Sequence, residues 1–144
     1  MMSTKPHLSR NELTVLVHDW MKAWNAHNLD AVMSLFHDNA EYIAWNGAIV
    51  KGKRAICYAW KPWFNKHGDF HFKIEELLID ETQQKVVITW CLKWLSSEPG
   101  YQGKREVRLG VDFLSFKQGM LLKKHSYSET VVTIEEKIIP LQAV

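Results

Sequence analysis

The chain has 144 residues, 47% hydrophobic and 24% charged, enough for one domain that buries about two-thirds of its unfolded surface without a disulfide or metal staple. Lys+Arg 18 against Asp+Glu 16 gives a net charge of +2, too balanced to point to nucleic acid or an anionic membrane, which favour a concentrated basic face. No apolar run reaches the roughly 18 residues of a membrane helix, and MMSTKPHLSRNEL has no signal-peptide core, so a cytoplasmic setting with Cys57 and Cys91 as reduced, buried thiols is expected.

Ser9 followed by Glu12 is a capping-box pattern, and Leu13, Leu16, Val17, Trp20, Ala23 and Trp24 then recur at helical spacing, predicting a helix from about Arg10 to Ala26. Asn28 can cap a second, shorter helix carrying Leu29, Val32, Met33, Leu35 and Phe36 and ending near His37-Asp38-Asn39. Glu41 to Trp45 reads as a strand, and Asn46-Gly47, favoured in two-residue hairpin turns, sends the chain back through Ala48, Ile49 and Val50. After Gly52 a third helix places Ala55, Ile56, Ala59, Trp60, Trp63 and Phe64 on one stripe, with Lys51, Lys53 and Arg54 as its solvated entry. Pro62 is expected to kink that helix or end its regular part.

The remainder reads as sheet. Asp69 to Ile79 alternates, Asp80 to Gln84 is a polar turn, and Lys85 to Leu95 is a strand apolar on both faces. Ser96 to Gly103 is a loop, after which Arg105 to Glu129 forms two long strands about a turn at Lys117-Gln118-Gly119. A tail, polar at Glu135-Glu136-Lys137, follows to Val144. There are no internal repeats or linkers, and helices followed by a meander of strands predict an α+β domain, helices across one face of a curved sheet.

Strand alternation then isolates one residue. Val107, Leu109, Val111 and Phe113 form a purely apolar face that calls for burial, while Arg108, Gly110, Asp112, Leu114 and Phe116 form the other, with one carboxylate, Asp112, between Gly110 and Leu114. Two readings of Asp112 stand open. It is a solvated or ion-paired group, with Arg108 or Lys124 as partner, or it is a pocket acid whose proton affinity an apolar setting raises. The register of the final hairpin decides which face of the last strand it meets. Alignment on Gly119 puts Lys124 near Asp112 and sends His125 outward, and a slip of one residue exchanges them.

Other chemistry has little support in the sequence. His67 and His71 resemble a ligand spacing but lack a third partner, so neither a metal nor a cofactor is expected. No nucleophile elbow, phosphate loop or dinucleotide fingerprint occurs. The 7 Trp residues against 6 Phe are the unusual feature. Trp20, Trp24, Tyr42, Trp45, Trp60, Trp63 and Trp90, with Leu114, are candidate walls of a flat apolar cavity for an aromatic or polycyclic molecule.

The strings WNAHNLDAVMSLFHDNAEY, GKRAICYAW and RLGVDFLSFKQGMLLKKHSY, in this order, resemble the nuclear transport factor 2-like superfamily and in particular its SnoaL-like branch. The resemblance implies a cone-shaped α+β roll around an internal pocket, with residues 1–144 as one such domain and a core from about residue 9 to 133. It also implies a homodimer through the outer sheet face and places Asp112 where related enzymes carry a ketosteroid isomerase oxyanion-hole acid or a cyclase acid/base aspartate. Trp20 stands where a ketosteroid isomerase has its oxyanion-hole tyrosine and Ala44 where it has its general base, so that mechanism is disfavoured. The expectation is a cofactor-independent isomerase, cyclase or dehydratase acting on an apolar cyclic or aromatic small molecule. Asp112 is then the proton carrier and Lys124 or His125 its tuner. The alternatives are a non-catalytic hydrophobic-ligand-binding protein and a dimerising interaction module.

Overall fold

A computed structural model describes residues 7–141. The Ser9 capping box forms as its pattern predicts: Glu12 N–H donates to Ser9 Oγ at 3.1 Å and Ser9 N–H to Glu12 Oε1 at 3.0 Å, opening helix α1, Arg10–Asn25. Its stripe, from Leu13 through Val17 and Trp20 to Trp24, is buried. Asn25 then fixes the end of α1 to a strand edge, since its amide donates to Phe72 O and accepts from Phe72 N–H, both at 2.8 Å.

Asn28 caps α2, Leu29–Met33, but this helix is shorter than expected. Leu35 and Phe36, assigned above to its apolar side, enter the sheet: the Leu35 carbonyl accepts from Leu121 N–H at 2.8 Å and Phe36 opens strand β1, Phe36–Ile43. A short apolar run fits a helix face and a buried strand equally well, and here strand pairing prevails. The first hairpin also differs from expectation. Ala44 N–H donates to Ala48 O at 2.8 Å, so the loop is Trp45-Asn46-Gly47, with Gly47 at φ 86°, before β2, Ile49–Lys51. Helix α3, Lys53–Lys66, runs through the exposed Pro62 instead of ending there.

Strands β3 (His71–Asp80), β4 (Lys85–Leu95), β5 (Arg105–Lys117) and β6 (Met120–Ser128) follow, with β5 and β6 joined by Gln118 and Gly119, both at positive φ. The tail is more ordered than its polarity suggests. Val131–Ile134 and Lys137–Pro140 form β7 and β8 about Glu135 and Glu136, both left-handed. The main sheet has the order β2-β1-β6-β5-β4-β3, antiparallel except where β1 runs parallel to β6. The length of β5 lets one of its edges serve both β6 and β7. The three helices pack on one side of this strongly curled mixed sheet, and α1, α3 and the inner strand faces enclose the aromatic core.

The odd face of β5 lies outside, as the resemblance implies, and the burial that its apolar residues call for is not met within one chain. Val107 and Val111 are only half-buried, and Leu109 and Phe113 are 41% and 47% exposed, because among the described residues no element crosses that side of β5.

Candidate functional site

On the inner side the curl leaves a cavity of about 340 Å³, within the size range of small-molecule sites. Trp20, Trp24, Tyr42, Trp60, Trp63 and Trp90 line it, as does Trp45, which is 41% exposed. Leu114, a candidate wall in the sequence, is fully buried in the core and is not among the residues that line the cavity. Met21, Ala59, Leu92, Trp94 and Phe72 complete the apolar lining, joined by the polar Arg108, Ser126 and Ser128.

Asp112 is 5% exposed and lies on this wall. Trp90 Nε1–H donates to its Oδ1 at 3.1 Å, and the Lys124 ammonium lies 3.2 Å from its Oδ2. Lys124 Nζ also donates to Ser126 Oγ and stands over the rings of Tyr42 and Trp60, 4.9 and 5.7 Å from their centroids. One ammonium thus has a carboxylate, a hydroxyl and two aromatic faces around it, in a cavity lined mostly by aromatic side chains. Asp112 is therefore the acceptor in an ion pair, and its partner is Lys124. Arg108, the other partner considered above, pairs instead with Glu106 at 3.0 Å and Glu98 at 3.2 Å.

The β5–β6 register explains this selection. Leu114 lies opposite Lys124 and Phe113 opposite His125, so Lys124 shares the inner face with Asp112. His125 faces outward, stacked on Tyr127 at 4.3 Å, and the alternative placing it beside Asp112 is corrected. Gly110 is equally necessary to the geometry. It lies directly across from Trp90, and a Cβ there would be 2.1 Å from Trp90 Cζ2, so only glycine lets the indole lie across β5 and reach Asp112.

Trp20 does not stand in for a hydroxyl donor, because its Nε1–H is already given to Val32 O at 3.1 Å. Ala44 has no proton-accepting group and terminates the strand at the first hairpin. Among the described residues, no three His, Cys, Asp or Glu side chains cluster as metal ligands.

The SnoaL-like domain family profile matches residues 17–123 of this sequence. The chain belongs to the SnoaL-like domain family. No curated protein matches it. Among solved structures, this SnoaL-like chain is similar to a putative polyketide cyclase from Xanthomonas campestris pv. campestris, with a TM-score of 0.70, 16% identity, and 83% of this chain and 92% of that one covered. It is also similar to SalBIII, an epoxide hydrolase/cyclase-like enzyme of pyran ring formation in the polyether salinomycin, with a TM-score of 0.72, 12% identity, and 92% and 98% covered. A protein of unknown function with a cystatin-like fold from Methylobium petroleophilum PM1 gives a TM-score of 0.67 at 19% identity, over 85% and 79%. At these identities the shared property is the fold: a SnoaL-like α+β roll.

Proposed function

We propose that this SnoaL-like protein is a cofactor-independent cyclase, isomerase or dehydratase acting on an apolar cyclic or aromatic small molecule. Asp112 moves the proton. The observation that carries this reading is a carboxylate on the wall of a tryptophan-lined cavity, held at one oxygen by an indole N–H and at the other by an ammonium. Such clamping orients the carboxylate towards a substrate proton, and a positioned proton carrier typically supplies about 10²- to 10⁴-fold. Asp112 accepts a proton from the substrate and returns it at a second position, while the neighbouring Lys124 stabilises negative charge developing on a substrate oxygen. The polyketide cyclase and epoxide hydrolase/cyclase-like neighbours add support at the level of general reaction type.

A second reading rests on a specific observation. With an alanine at 44, a second proton-transfer group is missing from the position where ketosteroid isomerases carry their general base, and Trp20 Nε1, committed to Val32 O, offers no oxyanion-hole donor in place of their tyrosine. The same cavity then holds a hydrophobic ligand without turning it over. Asp112→Asn separates the two. Under the catalytic reading, turnover of a cyclisable or isomerisable aromatic ketone falls by about 10²-fold or more while binding, followed by tryptophan quenching, changes little. An Asn variant that retains wild-type turnover removes Asp112 from the reaction.

Three further assignments belong to this proposal. Residues 1–144 act as one SnoaL-like domain with its core at 9–133. The working form is a homodimer through the outer sheet face, where Leu109, Phe113 and Tyr127 stand exposed. The setting is cytoplasmic, in keeping with the free thiols of Cys57 and Cys91. No described helix is long and apolar enough to cross a membrane.

A further inference from the structure

The cavity has a second polar station that the proton-transfer chemistry does not use. Arg108 lies on the same face of β5 as Asp112, four positions earlier, or about 13 Å along a strand. It is 8% exposed, and its neighbour Glu106 is 1% exposed. Both oxygens of Glu106 are engaged: they accept from Trp94 Nε1–H at 2.6 Å, Ser96 Oγ–H at 2.8 Å and Arg108 Nε–H at 3.0 Å. Arg108 Nη2 donates to Glu98 at 3.2 Å, and the guanidinium lies over the Trp94 ring, 5.3 Å from its centroid.

The remaining amine, Nη1, makes no hydrogen bond among the described residues. Among the described residues no buried side-chain nitrogen or oxygen is sealed without a partner, so Nη1 keeps some accessible surface, and Arg108 lines the cavity. A purely structural Arg–Glu pair has no need to present a free N–H to a hydrophobic cavity. The charges limit what it can receive. The wall groups and their partners are two cations, Arg108 and Lys124, and three carboxylates, Asp112, Glu106 and Glu98. The charge on Arg108 is already matched, so a fourth carboxylate entering this low-dielectric site meets repulsion without a free counter-charge.

We propose that Arg108 is a specificity-determining binding residue that takes a neutral acceptor, a ketone, quinone or phenol oxygen, at the end of the ligand remote from Asp112. The ligand class is then a flat bicyclic or tricyclic molecule with oxygens at opposite ends and no carboxylate at the Arg108 end. This rests on the reading of the cavity as a site for apolar ring compounds and adds its polarity and length. Apolar walls and two polar ends select such a molecule by shape and by two hydrogen bonds.

The test compares β-naphthol, the linear naphthalenediol with hydroxyls at opposite ends, and the matching naphthalenedicarboxylate, titrated into the full chain by calorimetry and tryptophan quenching. The diol is expected to bind about tenfold more tightly than β-naphthol, the equivalent of one added hydrogen bond to a charged donor, and the dicarboxylate more weakly than either. Arg108→Lys keeps a cation for the buried Glu106 but loses the planar fork, and the diol-to-naphthol ratio is expected to fall towards one. Glu98→Gln, a change in a partly exposed loop, removes one competing carboxylate and is expected to raise the dicarboxylate's affinity relative to the diol. A wild-type ratio near one, a ratio that survives Arg108→Lys, or a dicarboxylate that binds best overturns the assignment while leaving the aromatic cavity standing. Failure of β-naphthol itself to bind removes the cavity reading and this inference with it.

Discussion

Gly110 shows how much of the site depends on one missing side chain. It faces Trp90 across β4 and β5, and a Cβ at this position would lie 2.1 Å from the indole and 2.4 Å from the Tyr127 carbonyl. The second neighbour is backbone of a paired strand and cannot rotate away. Gly110→Ala is therefore expected to lower stability by about 3 kcal/mol, the upper end of ordinary overpacking, and to displace Trp90 Nε1 from Asp112. Urea unfolding followed by tryptophan emission measures both, and a loss near zero would show that the strands part at little cost. Alternation along β5 singles out Asp112 as the one carboxylate on its face but marks the opposite, apolar face for burial, so the inward direction of Asp112 follows only from the family resemblance. The indole that clamps it is not legible, because that pairing depends on the register of strands 22 residues apart in sequence. Arg108 is the clearest loss at this scale: its sequence neighbours Glu106 and Glu98 are visible, but their convergence on one guanidinium needs the curl of the loop and strand.

At the scale of elements, caps and turns carry most of what is legible. The capping box at Ser9, the Asn28 cap and the β5–β6 turn all stand where the residues place them, and that turn selects Lys124 over His125 for the inner face. Two elements are hidden for physical reasons. Leu35 and Phe36 sit in a run too short to separate helix from strand, and the β7–β8 hairpin turns on Glu135-Glu136, residues that seldom adopt left-handed backbone without external support. The end of α3 makes a pH prediction. His67 caps that helix between Trp63 and Trp94, and burial against these rings lowers its pKa, a shift opposed by Asp69 and assisted by Lys66. A histidine whose folded pKa lies below the unfolded value of about 6.5 binds its proton more readily when unfolded, so its contribution is present above that pH and is lost as pH falls through the lowered folded value. Stability is thus expected to decline on acidification below about pH 6.5, and His67→Asn to flatten the decline. Proton-detected titration of the His67 ring checks the sign directly: a midpoint above 6.5 contradicts the assigned cause.

For the whole molecule, the unresolved demand is on the outside. The odd face of β5 reads as core in the sequence, yet one chain leaves Leu109, Phe113 and Tyr127 at 41%, 47% and 49% exposure, with Leu78 at 63% on the same sheet. Phe113 and Tyr127 pack edge to face at 5.8 Å, and the aromatic patch continues to His125. Such a contiguous apolar surface rarely stays bare in a monomer, and in the proposed homodimer a second copy of the same face would cover it by two-fold symmetry. Phe113→Glu places a charge at the middle of that face, where pairing would leave it desolvated and facing its own copy. Because Phe113 points away from the cavity, the variant is expected to keep the fold while shifting the particle from dimer to monomer. Sedimentation at micromolar concentration reads the change, and Val15→Glu, a comparable substitution on an exposed turn of α1 at 59% exposure, serves as the control that leaves the dimer intact. A wild-type chain that sediments as a monomer removes the dimer, and a Phe113→Glu chain that remains dimeric moves the interface elsewhere. The outcome bears on the site as well. Phe113 and Asp112 are consecutive on β5 and face opposite ways, so a partner seated on the outer face stiffens the strand that presents the carboxylate within, and the monomeric variant is expected to bind aromatic ligands more weakly without any change in the cavity wall.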